Sequence, residues 1–148
     1  SIIYNFVTKE LFTAEKGGGA KLNGLPISVS NRSLAQAYIS VESDLSNEGN
    51  IQKYVALRKK ATIMQTINCG YEYGLIASGK IEGRICNKPF GHDWDYAPGS
   101  LIVSEAGGIV ANIGESTYDF TNHDFLATNS VIYKELTTED GLFPIKTL

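Results

Sequence analysis

Residues 91–108, GHDWDYAPGSLIVSEAGG, hold the tightest constraint on what this chain can fold into. Inside a helix a proline deletes a backbone donor and clashes with the carbonyl four residues back, so Pro98 is tolerable only in a first turn. The spacing predicts Asp95 as the N-cap, which puts Pro98 at the third helical position, where the missing N–H is unpaired in any case. The helix then runs from Tyr96 to Ala106. Ala97, Leu101, Ile102 and Ala106 form its apolar face, and Gly107-Gly108 supplies a left-handed stop. A carboxylate at such a start can give one oxygen to the cap and hold a cation with the other. Taken alone, capping accounts for Asp95 and ordinary packing for Trp94.

The rest of the chain reads as strands alternating with helices. Ile2, Ile3, Tyr4, Phe6 and Val7 open a β-rich run with no lead-in, so the chain is expected to begin in mid-domain. Leu11 to Ala14 continues it, and Lys16-Gly17-Gly18-Gly19-Ala20 is a turn, because it lacks the Gly-Lys-Ser/Thr ending of a phosphate-binding loop. Asn23-Gly24 between two short apolar runs is a hairpin signal. Strands are expected at Ala37–Val41, Ala61–Met64, Gly83–Cys86, Ile109–Ile113 and Phe125–Thr128. Helices are expected around Ile51–Leu57, from Asn68 to Ser78 with Gly79 as the stop, and from Val131 to Leu136. The class is α/β, a mixed β-sheet with flanking helices.

Composition excludes several functions. The 148 residues are 43% hydrophobic, enough for a real core. A formal net charge of -3 carries no electrostatic footprint for nucleic acid. No run approaches the roughly 18 apolar residues of a membrane span. Cys69 and Cys86 form no metal-like or redox pair, so reduced thiols and a cytoplasmic protein are the default. His92 and His123 stand apart and read as ordinary histidines.

The motif Trp94-Asp95-Tyr96-Ala97-Pro98-Gly99, then Ile102-Val103, then Glu105-Ala106-Gly107-Gly108, closely resembles a signature of the inositol monophosphatase family. That signature reads Trp-Asp-x-Ala-(Ala/Pro)-Gly, a short apolar run, and Glu-Ala-Gly-Gly. The resemblance implies a magnesium-dependent, lithium-sensitive phosphatase of small phosphorylated metabolites, with Asp95 as a ligand of Mg2+. It implies the C-terminal part of a layered sugar-phosphatase fold. Residues 1–35 would be a β-hairpin segment completing an N-terminal sheet, and residues 36–148 the C-terminal α/β domain. A homodimer, with no nucleic-acid or membrane partner, is expected of the intact enzyme.

Two positions depart from the family pattern. The helix that contacts substrate usually begins Arg-x-x-Gly-(Ser/Thr)-Ala; here Met64, Ile67, Asn68 and Cys69 stand at the matching places, which makes Asn68 and Cys69 the candidate substrate contacts. Inositol-specific members carry an acidic residue seven positions before the metal-binding Asp, where this chain has Lys88. That cation either faces a second phosphate or carboxylate on the substrate or is simply solvated.

The family's upstream Glu-Glu segment and Asp-Pro-Ile-Asp-Gly-Thr motif are absent from these residues. Two-metal hydrolysis needs several carboxylates around ions roughly 3.5–4 Å apart, which one Asp cannot supply. The expectation is therefore the C-terminal portion of a phosphatase acting on inositol-phosphate-like monoesters, inactive alone. The alternatives are the same chemistry on a sugar bisphosphate, a nucleotide 3′-phosphate or histidinol phosphate, or a non-catalytic binding or assembly domain.

Overall fold

The computed structural model describes residues 1–66 and 68–146. The first strands, β1 (Ile2–Asn5), β2 (Glu10–Glu15), β3 (Gly19–Leu22) and β4 (Leu25–Pro26), form an antiparallel sheet in sequence order. Asn23 and Gly24 both have positive φ, +51° and +83°, as a two-residue turn between right-twisted strands requires. Pro26 sits on an edge strand, where its missing donor costs no ladder bond.

The second sheet is built by β5 (Tyr38–Ser43), α1 (Glu48–Arg58), β6 (Thr62–Gln65), α2 (Cys69–Ala77), β7 (Gly83–Asn87), α3 (Asp93–Glu105), β8 (Ile109–Asn112), β9 (Phe125–Thr128) and α4 (Ser130–Thr137). Its strand order is β6-β5-β7-β9-β8. β6, β5 and β7 run parallel, whereas β9 is antiparallel to both β7 and β8. This is the mixed sheet with flanking helices that the residue pattern implies. Most element boundaries agree with the pattern to within two residues.

Alternation along the strands divides the core. Ile39, Val41, Ile85 and Leu126 face Leu57 of α1 and Ile132 and Leu136 of α4. Cys86, Phe125 and Ala127 face Tyr73 and Ile76 of α2 and Tyr96 and Val103 of α3. The other side of α2 and α3, through Ala77, Ile102 and Ala106, packs on Phe12, Ala14 and Ala20 of the first sheet. The layers are thus helix, five-stranded sheet, helix, four-stranded sheet. α2 and α3 have core on two sides, which is why their sequences are apolar nearly all round.

Close approach within that middle layer depends on glycine. A methyl group at Gly99 would collide with the Tyr73 ring, and one at Gly74 would lie 2.6 Å from Phe12 Cε2. Both helices end in the same way. The Gly79 N–H bonds to the Ile76 carbonyl and the Lys80 N–H to that of Leu75; Gly107 and Gly108 repeat this with Ser104 and Val103. Gly79 and Gly107 have φ of +69° and +84°, the left-handed stop of a Schellman motif.

The two sheets are also joined by charge. Glu10 accepts hydrogen bonds from Lys80 Nζ at 2.8 Å and Tyr71 Oη at 2.5 Å. The Lys80 bond first, then those of Tyr71 and Thr8, hold its carboxyl down at about 2, from an ordinary value of 4.5.

Gly99→Ala is expected to destabilise the chain by about 1–3 kcal/mol through overpacking against Tyr73; an unchanged urea midpoint would refute this contact. For Glu10, the depressed folded-state value means its stabilisation is present above pH 4.5 and is lost as pH falls towards about 2. Because its Lys80 partner is about half exposed and water screens the pair, the effect is no more than about 1 kcal/mol. Glu10→Gln should therefore lower the melting temperature slightly at pH 7, and the difference from wild type should shrink as the pH falls through about 2, by calorimetry.

Candidate active site

β5, β6 and β7 are parallel, so their carboxyl ends share one edge of the sheet, and each is followed by a helix: α1, α2 and α3 respectively. Three helix N-termini therefore gather at that edge, the place where open α/β sheets bind ligands and where backbone dipoles favour an anion. Asn47 caps α1, its side chain accepting from the Asn50 N–H at 3.2 Å. Asn68 caps α2 by accepting from the Tyr71 N–H at 3.3 Å.

The third start differs from the expectation. α3 begins at Asp93, with His92 as its N-cap, so Asp95 is the third helical residue and Pro98 the sixth. Asp95 Oδ2 accepts the His92 N–H at 2.9 Å, the returning half of a capping box rather than the cap itself. Asp93 and Trp94 can enter the helix because the residue that loses its hydrogen-bond partner to Pro98 is Trp94, which is 73% exposed and open to water. The carboxylate still has the division of labour read from the sequence. One oxygen serves the helix start, and Oδ1 has no hydrogen-bond donor among the described residues.

Cys69 is brought beside this group, its Sγ donating to the Asp95 carbonyl at 3.2 Å. Burial pushes its thiol up to about 12, so it stays protonated and serves as a donor. Lys88 lies at the end of β7 with a φ of +50°. Its backbone N–H bonds to Asp124 Oδ1. The Asp44 carboxyl is held below its usual value mainly by hydrogen bonds from Ser46, with the Lys88 ammonium adding to the effect. The Asp44 N–H bonds to the carbonyl of Asn87, the residue before Lys88, at 3.4 Å. Asn68, Cys69 and Asp95 converge. Ile67 lies outside the described residues.

Under the mouth sits a charge network that the sequence reading passed over. Arg84, with no exposed side-chain surface, pairs through Nη1 with Glu72 and through Nη2 with Glu42, and lies 5.3 Å from the Tyr73 ring centroid. Glu72 also accepts from Ser40 Oγ. The second oxygen of Glu42 accepts the Phe90 N–H at 3.0 Å and the Tyr96 hydroxyl at 3.1 Å, and Tyr96 accepts the Gly91 N–H at 2.7 Å. Burial, and then the Glu42 carboxylate, raise the Tyr96 phenol above its usual value, which keeps it a donor. The network therefore fixes the 90–92 backbone from which α3 starts. The available signal was an arginine in the otherwise apolar strand 83–86 and a glutamate in the apolar helix 69–77.

Glu105, the acid of the second half of the motif, has a structural role. Its two oxygens accept the N–H groups of Gly17 and Gly19, each at 2.9 Å, and these bonds hold its carboxyl below the usual range. The glycine turn does cradle an anion, and that anion is a side chain of the same protein.

His92 stacks on Trp94 at 4.6 Å between centroids, and His123 Nε2 lies 2.6 Å from Asp93 Oδ1. Among the described residues no group of three or more His, Cys, Asp or Glu side chains is arranged to hold a metal ion. Asp95 fits one carboxylate of a hard cation and does not make a closed site. No helix among them is long and apolar enough to cross a membrane.

Two stacked sheets separated by helices, with helix starts and a half-committed carboxylate at the strand ends, define a layered α/β fold of the phosphatase kind. The sequence model of the inositol monophosphatase family matches residues 1–141, and the chain belongs to that family. It is 33% identical to inositol monophosphatase 3 of Solanum lycopersicum, over 87% of this chain and 50% of that protein. It is 35% identical to the inositol monophosphatase of Dictyostelium discoideum, over 90% of this chain and 52% of that one. The Nus factor SuhB of Escherichia coli is 28% identical, over 89% and 49% respectively. Among solved structures, the extragenic suppressor protein SuhB of Bartonella henselae superposes with a TM-score of 0.79 at 28% identity, over 88% of this chain and 51% of that one. The chain spans about half the length of the curated relatives it matches.

Replacing Arg84 by Met should cost about 3–5 kcal/mol in urea unfolding, because two carboxylates are left without their cation. Arg84→Met combined with Glu42→Gln and Glu72→Gln should regain much of that loss. If the single variant were as stable as wild type, the network would not anchor the mouth.

Proposed function

We propose that this chain forms the helix-lined side of the active site of a magnesium-dependent phosphatase acting on small phosphomonoesters. The observation that carries the reading is Asp95, held by its own helix start through one oxygen, with the other unclaimed where three helix N-termini gather. Mg2+ is bound through one or two carboxylates together with substrate phosphate, and Asp95 would be one of them. When bound, the ion supplies charge neutralisation at the phosphoryl oxygens. The chain's own contribution is positional. The N-termini of α2 and α3 favour the phosphate dianion, Cys69 ties α2 to α3 at Asp95, and the Arg84–Glu42–Tyr96 network holds the loop before α3.

The remaining ligands are assigned to residues outside this chain, so the isolated 148 residues are expected to release no phosphate. Lys88 in place of an acid disfavours a leaving group recognised through its hydroxyls. Two protonated thiols suit a reducing compartment such as the cytoplasm.

A non-catalytic assembly role is the second reading. It is favoured by the outer face of the first sheet, where Ile2 and Tyr4 are 70% and 54% exposed beside Leu11, an apolar surface suited to a covering partner such as a second copy.

In a protein that joins this chain to the family's remaining motifs, Asp95→Asn should lower turnover by about 100-fold or more and raise the magnesium concentration needed for half-activation. Unchanged turnover and magnesium dependence would remove Asp95 from the chemistry. Calorimetry of the isolated chain should detect no tight magnesium binding; a tight site there would contradict the assignment of the other ligands.

A further inference from the structure

The first turn of α3 carries Asp95 but has little core beneath it: His92, Asp93 and Trp94 are exposed, and burial begins at Tyr96. A helix end without packing opens locally at low cost, so a carboxylate there keeps one orientation only if it is tethered. On the β5 side Glu42 and Tyr96 hold the backbone of Phe90 and Gly91, and beyond them a cavity of about 210 Å³ opens beside Phe90 and gives α3 no packing. The remaining support comes from the other side, where β9 and β8 lie. We propose that the loop joining β8 to β9, residues 113–124, is a strap across the start of α3, and that His123 and Asn112 are positioning residues for Asp95. This deepens the phosphatase reading and rests on it for the use made of Asp95.

The strap meets the segment 88–100 at three places. Asp124 Oδ1 accepts the Lys88 N–H, at the bend after β7 where φ is +50°. His123 Nε2 lies 2.6 Å from Asp93 Oδ1, and because a carboxylate only accepts, the imidazole donates. The same ring packs edge-on against Tyr96, 5.2 Å between centroids. Further along α3, the Ser100 hydroxyl gives its proton to the Tyr96 carbonyl at 2.9 Å, so in its 3.0 Å contact with Tyr118 it is the Tyr118 hydroxyl that donates. The bend before α3, its first turn and its middle are all held by one loop.

That loop is shaped by a single buried side chain. Asn112, at the end of β8 and 1% exposed, accepts the Asp119 N–H on Oδ1 at 2.6 Å. Its Nδ2 lies 2.9 Å from the Asn122 carbonyl and 3.3 Å from those of Asp119 and Asp124, and its backbone N–H bonds to the Thr117 carbonyl. The residues on both sides of Tyr118 and of His123 are therefore fixed to Asn112. The position calls for an amide, which both donates and accepts; a carboxylate would face three carbonyls with no donor. The His123–Asp93 contact is itself partly exposed, so it adds little to global stability. Its consequence is local, at the first turn of α3.

Amide hydrogen exchange of the 148-residue chain, with no metal or substrate added, tests this. The His92 N–H, bonded to the Asp95 carboxylate, and the Asp95 N–H, bonded to the His92 carbonyl at 2.8 Å, report the hold on Asp95. His123→Phe keeps a ring on Tyr96 and removes the donor. It should speed exchange of both amides by about threefold, the scale of one exposed ion pair, while the Ile132 N–H at the start of α4 and the melting temperature stay as in wild type. His123→Gln, which keeps a donor, should slow the two amides again, and Asn112→Asp should speed them more than His123→Phe does. His123→Phe keeps the test readable if Asn112→Asp fails to fold. If His123→Phe left both amides unchanged, or sped the Ile132 amide equally and lowered the melting temperature, the proposal would be overturned. In a protein that joins this chain to the family's remaining motifs, His123→Phe should raise the magnesium concentration for half-activation by about tenfold, the low end of what a lost outer-shell partner costs. An unchanged half-activation there, with Asp95→Asn inactive, would overturn this proposal alone. Faster exchange in His123→Phe, with turnover indifferent to Asp95→Asn, would support the strap and refute the phosphatase reading.

Discussion

Everything at the mouth of this fold rests on one buried cation. Arg84 is enclosed in the middle of the second sheet, and a guanidinium cannot be left there without compensation. Glu72 reaches it from α2 and Glu42 from β5, so the ion ties the start of a helix to the centre of a sheet. Glu42 then uses its other oxygen on Phe90 and Tyr96, carrying the constraint to the loop before α3. Glu72 sits in the first turn of α2, where the helix dipole adds to the support of its charge. Electrostatic necessity in the core thereby becomes geometric precision at the surface.

The motif at 94–108 performs several tasks in one short stretch. Asp95 returns a hydrogen bond to the helix start and keeps an oxygen free. Gly99 lets α3 approach Tyr73 of α2, and Glu105 gathers the glycine turn of the first sheet. Gly107 reverses the chain, and Gly108 leaves room for Val103 and the Thr128 carbonyl. Only the free Asp95 oxygen is left available for chemistry. The rest hold a helix between two sheets so that its first turn points where it must.

The element order and the class were legible because apolar periodicity and glycine stops are local. The hairpin at Asn23-Gly24 and the end of α2 at Gly79 followed directly from positive-φ chemistry. The expected start of α3 lies three residues too late. Pro98 suggested a first-turn position, but an exposed Trp94 carbonyl can do without its partner, and His92 closes the helix instead. Among the candidate site residues, Asn68, Cys69 and Asp95 meet, joined by the thiol's bond to the Asp95 carbonyl. Lys88 stands at the end of β7, its backbone N–H bonded to Asp124. The Glu105 clasp on Gly17 and Gly19 was invisible, because it joins groups 88 and 86 residues apart.

The sequence by itself determined which segments become strands and helices, where they stop, and which family signature the chain carries. These depend on backbone conformation and side-chain period within a few residues. The tertiary structure alone decided which charges meet and which polar groups remain free. Arg84, Glu42 and Glu72 are separated by up to 42 positions, and no local rule pairs them. The same is true of the cavity beside Phe90. Its walls come from two strands, a helix and three loops, which meet only once those elements are packed.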